Sequence, residues 1–233
     1  MMKAATAEVN EIERLARHFE GQPVEALLEW AVERFGPKLA MTSSFGAEGI
    51  VLIDKLARIA PRMPILYLDT GYHYAATTLV KEQIRDRYGL NVVELRAELS
   101  VEEQDARHGA NLYDRDPDAC CRMRKVEPLQ RALAGYDAWI AALRRDGSPS
   151  RAGIAKVEWS ARHNAMKLNP IADWTRRDVW DYIVQNNLPY NRLHDEGYTS
   201  IGCWPCTRPT IAGEHERGGR WAGRNKQECG IHL

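Results

Sequence analysis

The stretch KLAMTSSFGAEGIVLIDKLARIAPRMPILYLDTGY (38–72) decides the fold. An apolar run, LAMTS (39–43), leads through a turn of small residues into an amphipathic segment over 50–60, then into a second apolar run, PILYLD (64–69). The pattern continues with NVVEL (91–95) and DAWIAAL (137–143) as buried strands, and with 74–88 and 122–134 as the helices between them. Strands separated by helices form βαβ units, so an α/β fold with a mostly parallel sheet flanked by helices is expected. Upstream, residues 8–35 carry leucine, alanine and isoleucine at helical spacing and read as two leading helices. Downstream, Thr175 and Asp178 resemble a capping box, opening a helix whose apolar face is Val179, Trp180, Ile183 and Val184. From Leu188 onward proline, glycine and asparagine are frequent and periodicity is lost. The division expected is a domain over 1–212 and a mobile, basic C-terminal tail over 213–233.

Ligands of open parallel sheets bind beyond the carboxyl ends of the strands. Four loops belong there: SSFGAEG (43–49), DTGY (69–72), DRDPDACC (114–121) and LRRDGSPSR (143–151). Ser43, Ser44, Phe45, Gly46, Ala47 and Glu48 join a strand to a helix, where small residues and free N–H groups suit an anion. An ordinary turn has the same look. Arg144 and Arg145 suit a bidentate grip on phosphate or sulfate, or form a solvated pair. Asp69, Thr70 and Gly71 suit a ribose, or simply a turn.

The five cysteines are clustered. Cys120 and Cys121 are adjacent, Cys203 and Cys206 form C-x-x-C, and Cys229 stands alone near the C-terminus. Such grouping points to metal or redox chemistry rather than a disulfide framework. Two close pairs of thiolates suit either a structural zinc or a [4Fe–4S] cluster; a directly adjacent pair chelates one tetrahedral ion awkwardly, which favours the cluster. Cys229 is followed by His232 and preceded by Arg217, Arg220 and Arg224, and positive charge makes a thiol nucleophilic. A tail cysteine is equally an incidental thiol.

Taken together, CC-x-x-R-K-x-E-P-L (120–129), L-D-T-G (68–71), S-I-G-C-x-P-C-T (200–207) and E-C-G-I-H (228–232) resemble the assimilatory adenylyl-sulfate reductases, within the wider phosphoadenylyl-sulfate reductase group. The resemblance runs from about Ala40 to the C-terminus, and the two cysteine pairs mark the iron–sulfur branch. It implies an adenine-nucleotide α-hydrolase-like fold and reduction of adenylyl sulfate to sulfite and AMP in sulfate assimilation. Cys229 would be the nucleophile and carry an S-sulfocysteine, which a thioredoxin or glutaredoxin thiol resolves. By position Cys120, Cys121, Cys203 and Cys206 would hold the cluster, with Lys125 between cluster and substrate. Ser43 to Glu48 and Asp69 to Gly71 would line the nucleotide site, Arg144 and Arg145 would lie near the phosphosulfate, and Arg217 and Arg220 would reach it as the tail closes. Two loops depart from the family pattern: Ala142 and Gly147 replace a glycine and a glutamine of the arginine loop, and in the first loop Gly49 stands where an acidic residue is often found.

Composition removes other classes. Lys+Arg and Asp+Glu are equal at 32 each, so net charge gives no case for nucleic acid or membrane. No apolar run nears the roughly 20 residues of a membrane span, and the charged N-terminus lacks a secretory core, so a cytoplasmic protein is expected. The oligomeric state is left open, a homo-oligomer included. Two rivals remain: an ATP pyrophosphatase of the same fold, whose S-G-G-x-D-S loop is not matched by Ser43 to Glu48, and a non-enzymatic zinc or cluster protein, which gives Cys229 no task.

Overall fold

A computed structural model describes residues 2–232, with side chains from Asn10 onward. Helices α1 (Met2–Phe19) and α2 (Val24–Phe35) lead into strand β1 (Leu39–Thr42). There follow α3 (Ala47–Ile59), β2 (Pro64–Asp69), α4 (Ala75–Tyr88) and β3 (Asn91–Arg96). Three short helices, α5 (Val101–His108), α6 (Leu112–Arg115) and α7 (Pro117–Cys121), continue through a π turn (Arg122–Val126) into α8 (Glu127–Leu133). Strands β4 (Ala138–Ala141), β5 (Val157–Ser160) and β6 (Ala165–Leu168) and helix α9 (Arg176–Gln185) complete the regular structure.

The strands form one sheet in the order β3-β2-β1-β4-β6-β5, parallel except for β5. Strand β1 lies between β2 and β4, and its Leu39, Ala40 and Met41 are fully buried. Both faces are covered, as a parallel sheet requires. Helix α3 is buried from Ile50 through Leu56, including Asp54 and Lys55. Asp54 accepts hydrogen bonds from Tyr88 and Tyr182 (2.6 Å each) and from Arg58 (3.0 Å), tying α3 to α4 and α9. Burial would raise its carboxyl, yet these donors hold it below the usual range.

Two features differ from the sequence reading. Strands β5 and β6 form an antiparallel hairpin, turned through Asn164 at φ 49°, that the pattern did not announce. Each is four residues long, and Lys167 is a buried lysine paired with Glu158 at 3.2 Å, so apolar alternation is broken. The helix expected over 122–134 starts earlier, at Pro117, because Asp116 caps it by accepting from the Ala119 N–H (2.9 Å). The tail, whose resting position the sequence left open, is docked here: from Gly213 to His232 it makes turns packed on the domain, with Arg224 bonded to Asp114 and Lys226 to Asp118. Among the described residues, no helix is long and apolar enough to cross a membrane.

From β1 the chain winds toward β2 on one side and β4 lies on the other. The crevice between the β1 and β4 carboxyl ends is the switch point of the sheet.

Candidate functional site

A cavity opens at that switch point, and the loop after β1 forms its floor. Ser44, Phe45, Gly46, Ala47 and Glu48 line it, with α3 starting at Ala47. The turn is tight: Phe45 sits at φ 55° with its ring buried, and its N–H donates to Ser43 Oγ at 3.0 Å. Ser43 therefore supports the loop from beneath and is absent from the cavity wall. The same hydroxyl explains Gly49, since a Cβ there would lie 2.6 Å from it.

In the turn after β2, Thr70 lines the cavity, whereas Asp69 and Gly71 do not. Asp69 accepts from the Gly71 N–H and from Arg96 Nε, both at 3.1 Å, so it closes the turn and faces β3. Gly71 holds φ 71° with Val101 against its α-carbon, where a Cβ would lie 2.8 Å from Cγ2.

The two arginines after β4 diverge. Arg144 lines the cavity, is 2% exposed, and is surrounded by Glu48 (3.0 Å), Asp146 and both oxygens of Glu216 (2.7 and 2.8 Å). Arg145, expected beside it at the phosphosulfate, points the opposite way. It grips Glu20 of α1 bidentately (2.6 and 2.8 Å) and donates to the Ile154 carbonyl (2.8 Å).

The docked tail supplies the remaining wall: Glu216, Arg217, Arg220, Glu228, Cys229, Ile231 and His232. Glu228 fastens it. Its oxygens accept from Arg151 Nε (2.7 Å) and Nη2 (2.9 Å), from Arg217 Nη2 (3.2 Å), and from Ser148 (3.2 Å) and Ser150 (3.3 Å). Burial would raise this carboxyl, but the Arg151 bonds and the charges of Arg217 and Arg151 lower it to about 2. Arg162 holds the Gly230 carbonyl (2.7 Å) and Lys167 that of His232 (3.2 Å). Burial first, then Lys167 and Arg151, keep His232 well below its usual range, so at neutral pH it is uncharged. Arg217 is crowded: burial and repulsion from Arg220 and Arg151 push it down to about 10. Arg217 Nε and Arg220 Nε are buried without a hydrogen-bond partner among the described residues. The cavity wall carries Lys125, Arg144, Arg151, Arg176, Arg217 and Arg220 against Glu48, Glu216 and Glu228. An anion is the ligand such a wall suits.

Directly behind lies a second, smaller cavity lined by Cys120, Cys121, Cys203 and Cys206. Thr70, Lys125 and Cys203 line both cavities and form the partition. The π turn after Cys121 carries Lys125 to that place, and π turns recur at functional sites. Arg124 anchors the turn by donating to the Thr70 carbonyl (2.5 Å) and Gln104 (3.0 Å). Burial opposes the Lys125 charge, but Cys203, Cys229 and Cys121 outweigh it and keep the ammonium protonated. In the protein alone, burial and the neighbouring thiols push Cys120 up to about 12, and burial pushes Cys121 up to about 11 against Lys125. Among the described residues no three His, Cys, Asp or Glu side chains converge as ligands of a single ion. Four soft sulfur donors around one common cavity nevertheless match the donor set of a [4Fe–4S] cluster, which spreads its ligands over separate irons.

Several cavity residues were not singled out from sequence: His73, Arg151, Arg176, Trp180, His194, Glu216 and Glu228. Arg151 and Glu228 lie inside quoted motifs, so a search for charge complementarity between them had a signal to find. The others stand alone in unremarkable surroundings and meet only through the topology.

A solved phosphoadenylyl-sulfate reductase from Candida auris, in a phosphate complex, superposes with TM-score 0.73 at 30% identity, covering 83% of this chain and 94% of that one. The fold is the adenine-nucleotide α-hydrolase-like one. An FMN adenylyltransferase from Candida glabrata shares the fold alone (TM-score 0.59, 16% identity, 85% of this chain and 67% of that one). Among curated relatives, a phosphoadenosine 5'-phosphosulfate reductase of Gloeobacter violaceus is 48% identical over 95% of this chain and 93% of its own. An adenosine 5'-phosphosulfate reductase of Halalkalibacterium halodurans is 41% identical over the full length of both. The model of the phosphoadenosine phosphosulfate reductase domain matches residues 38–209, and with that span and those relatives the chain belongs to this family.

Proposed function

We propose that the protein reduces adenylyl sulfate to sulfite and AMP in sulfate assimilation, in the cytoplasm, with Cys229 as nucleophile. The observation that carries this is the placement of Cys229 in one cavity with the loop that opens α3, with Lys125, and with the unpaired Nε donors of Arg217 and Arg220. Ser44 to Glu48 and Thr70 receive the nucleotide, and the backbone N–H groups entering α3 face its phosphate. Arg217, Arg220 and Lys125 neutralise the sulfonate, without which an anionic thiolate is repelled. Each such contact is worth about 3 kcal/mol if it strengthens in the transition state.

The Cys229 thiolate forms a bond to the sulfate sulfur, and the bond from that sulfur to the bridging oxygen breaks, releasing AMP. Cys229 then bears an S-sulfonate. A thiolate of a dithiol protein such as thioredoxin or glutaredoxin attacks Cys229 Sγ and expels sulfite. Its second thiol cleaves the resulting mixed disulfide, so the dithiol supplies both electrons. Cys229 rides on the docked tail and lines the substrate cavity, only partly exposed, and undocking of the tail over 213–233 opens it to the partner thiol in this second step. His232, neutral, is left to orient the tail rather than to add charge.

The cysteines at 120, 121, 203 and 206 would hold a [4Fe–4S] cluster, which when bound adds fixed charge behind the sulfonate. Both ordinary and 3'-phosphorylated adenylyl sulfate appear in the names of the relatives; the two cysteine pairs favour the former. The test is anaerobic mixing with adenylyl sulfate followed by intact mass spectrometry. The wild type should gain a sulfonate on Cys229 and release AMP; Cys229→Ser should bind nucleotide, keep its iron and gain nothing. Full turnover by Cys229→Ser refutes the assignment.

A further inference from the structure

Tyr72 follows the Asp69-Thr70-Gly71 turn and carries a phenol into the interior. It is 5% exposed, packs with Leu112, Cys120 and Cys203, and lines the cavity shared by the four cysteines. Its backbone is fixed on both sides: its N–H donates to Thr70 Oγ1 (3.3 Å), and its carbonyl accepts from the N–H of Trp204 (2.9 Å), the residue after Cys203. The Arg124 guanidinium lies 5.4 Å from the ring centre, and Tyr113 and Trp204 meet the ring edge-on. The ring therefore has little room to swing. Yet its hydroxyl is buried with no hydrogen-bond partner among the described residues. A buried donor left unpaired costs about 1–3 kcal/mol, and native interiors seldom tolerate one. The cavity it lines also holds Arg124 and Lys125, which accept nothing, the hydroxyls of Thr70 and Tyr113, already engaged with the Tyr72 N–H and with Asn111, and four sulfurs, which accept.

We propose that Tyr72 donates its phenolic O–H to a sulfur of the group held in that cavity, an inference that rests on the cluster reading above. Thr70 Oγ1 already lies 3.4 Å from Cys203 Sγ, so a single turn after β2 brings two hydroxyls to the sulfur shell. Thr70 also lines the substrate cavity, which makes this turn a mechanical link between nucleotide and cluster. Hydrogen bonds to sulfur are one of the protein's means of setting a cluster's electronic state and its hold on iron.

Tyr72→Phe removes the hydroxyl and keeps the ring, so the packing stays intact. The holoprotein is purified anaerobically, its iron counted, and iron release to a ferrous chelator followed by absorbance. Resonance Raman spectra of the Fe–S stretches are recorded in H2O and in D2O. The variant should load the same iron as the wild type but release it about fivefold faster, the factor one ordinary hydrogen bond is worth. It should also lose a deuterium-sensitive Fe–S band that the wild type shows. Equal release rates with identical deuterium responses overturn the proposal while leaving the cluster reading intact. Zinc or no metal in the wild type overturns both, and that measurement precedes any variant.

Discussion

Glu228→Gln removes a charge and almost nothing else, and the geometry around it sets the size of the effect. The carboxylate accepts from two nitrogens of Arg151 and one of Arg217, with side chains 9%, 16% and 11% exposed respectively. Its pKa of about 2, against 4.5 for a free glutamate, means that these partners favour the ionised form by about 3 kcal/mol, at ~1.4 kcal/mol per unit. Glutamine keeps one acceptor but leaves Arg151 and Arg217 as uncompensated buried cations, a loss of about 3–5 kcal/mol for buried pairs. The contacts at Asp114, Asp118, Gly230 and His232 persist and hold part of the docked state. A net weakening of about 1.5–3 kcal/mol in docking follows, or about 10- to 100-fold more undocked tail. Alkylation of Cys229 by iodoacetamide in substrate-free enzyme, localised by peptide mass spectrometry, reads that population. Glu228→Gln should react about 10- to 100-fold faster at constant pH. A rate within about twofold of the wild type would refute the anchoring role. The wild type carries the matching pH signature. A carboxyl depressed from 4.5 to about 2 lends its full stabilisation above about pH 4.5 and loses it as pH falls toward 2. Amide exchange over 213–232 should thus show constant docking strength above about pH 7, a first weakening as pH falls through 6.5, where undocked His232 takes a proton that the docked form resists, and a second below about pH 4.5 from Glu228.

Other positions give sharper local tests. Gly49→Ala places a methyl 2.6 Å from Ser43 Oγ and should destabilise the fold by about 1–3 kcal/mol in urea titration, with the nucleotide loop shifted and affinity reduced. Gly202→Ala should push the Arg220 guanidinium aside, because its Cβ would overlap it; single-turnover sulfonation should slow by about tenfold or more while the melting temperature changes little. Arg145→Ala, which loses only the Glu20 clamp and a carbonyl contact, should leave sulfonation within about twofold, whereas Arg220→Ala should cost about 10²-fold or more.

What could be read from sequence divides along a physical line. Strands β1, β2 and β4 announce themselves because they lie inside the sheet, covered on both faces, and so form continuous apolar runs, as in LAMTS and PILYLD, whereas β3 at the sheet edge is only partly buried and is marked by Val92, Val93 and Leu95 alone. The capping box at Thr175 is legible because both of its bonds are local, and the structure has both. The β5–β6 hairpin is hidden because its burial depends on partners remote in sequence: Lys167 is tolerated inside only by pairing with Glu158 and with the His232 carbonyl. The loops around the cavity were identifiable by position at strand ends, and the cysteines by kind. The wall contributed by Arg176, His194 and Glu216 was not, since nothing local distinguishes these residues from ordinary surface charge.

Arg144 and Arg145 show where such reading ends and why that matters for the reaction. They are neighbours in the loop after β4, Arg144 with an extended backbone and Arg145 opening a single 3-10 turn, and only Arg144 faces the crevice. Arg145 is directed toward α1 and meets Glu20. Arg144 enters the cavity but meets Glu48, Asp146 and Glu216 there, so in this arrangement its charge is already balanced. The positive charge left for a sulfonate therefore comes from elsewhere: Lys125 on the π turn, and Arg217 and Arg220 on the tail with their unpaired Nε donors. Two of these three cations arrive on the same segment as Cys229. In the proposed reaction, nucleophile and electrostatic stabilisation are thus delivered in one movement, and an undocking tail takes the thiolate away from Lys125 while withdrawing Arg217 and Arg220 from the substrate. On the proposed mechanism the open state is suited to thiol exchange with a partner and the closed state to sulfonation, with Glu228 expected to set the balance between them.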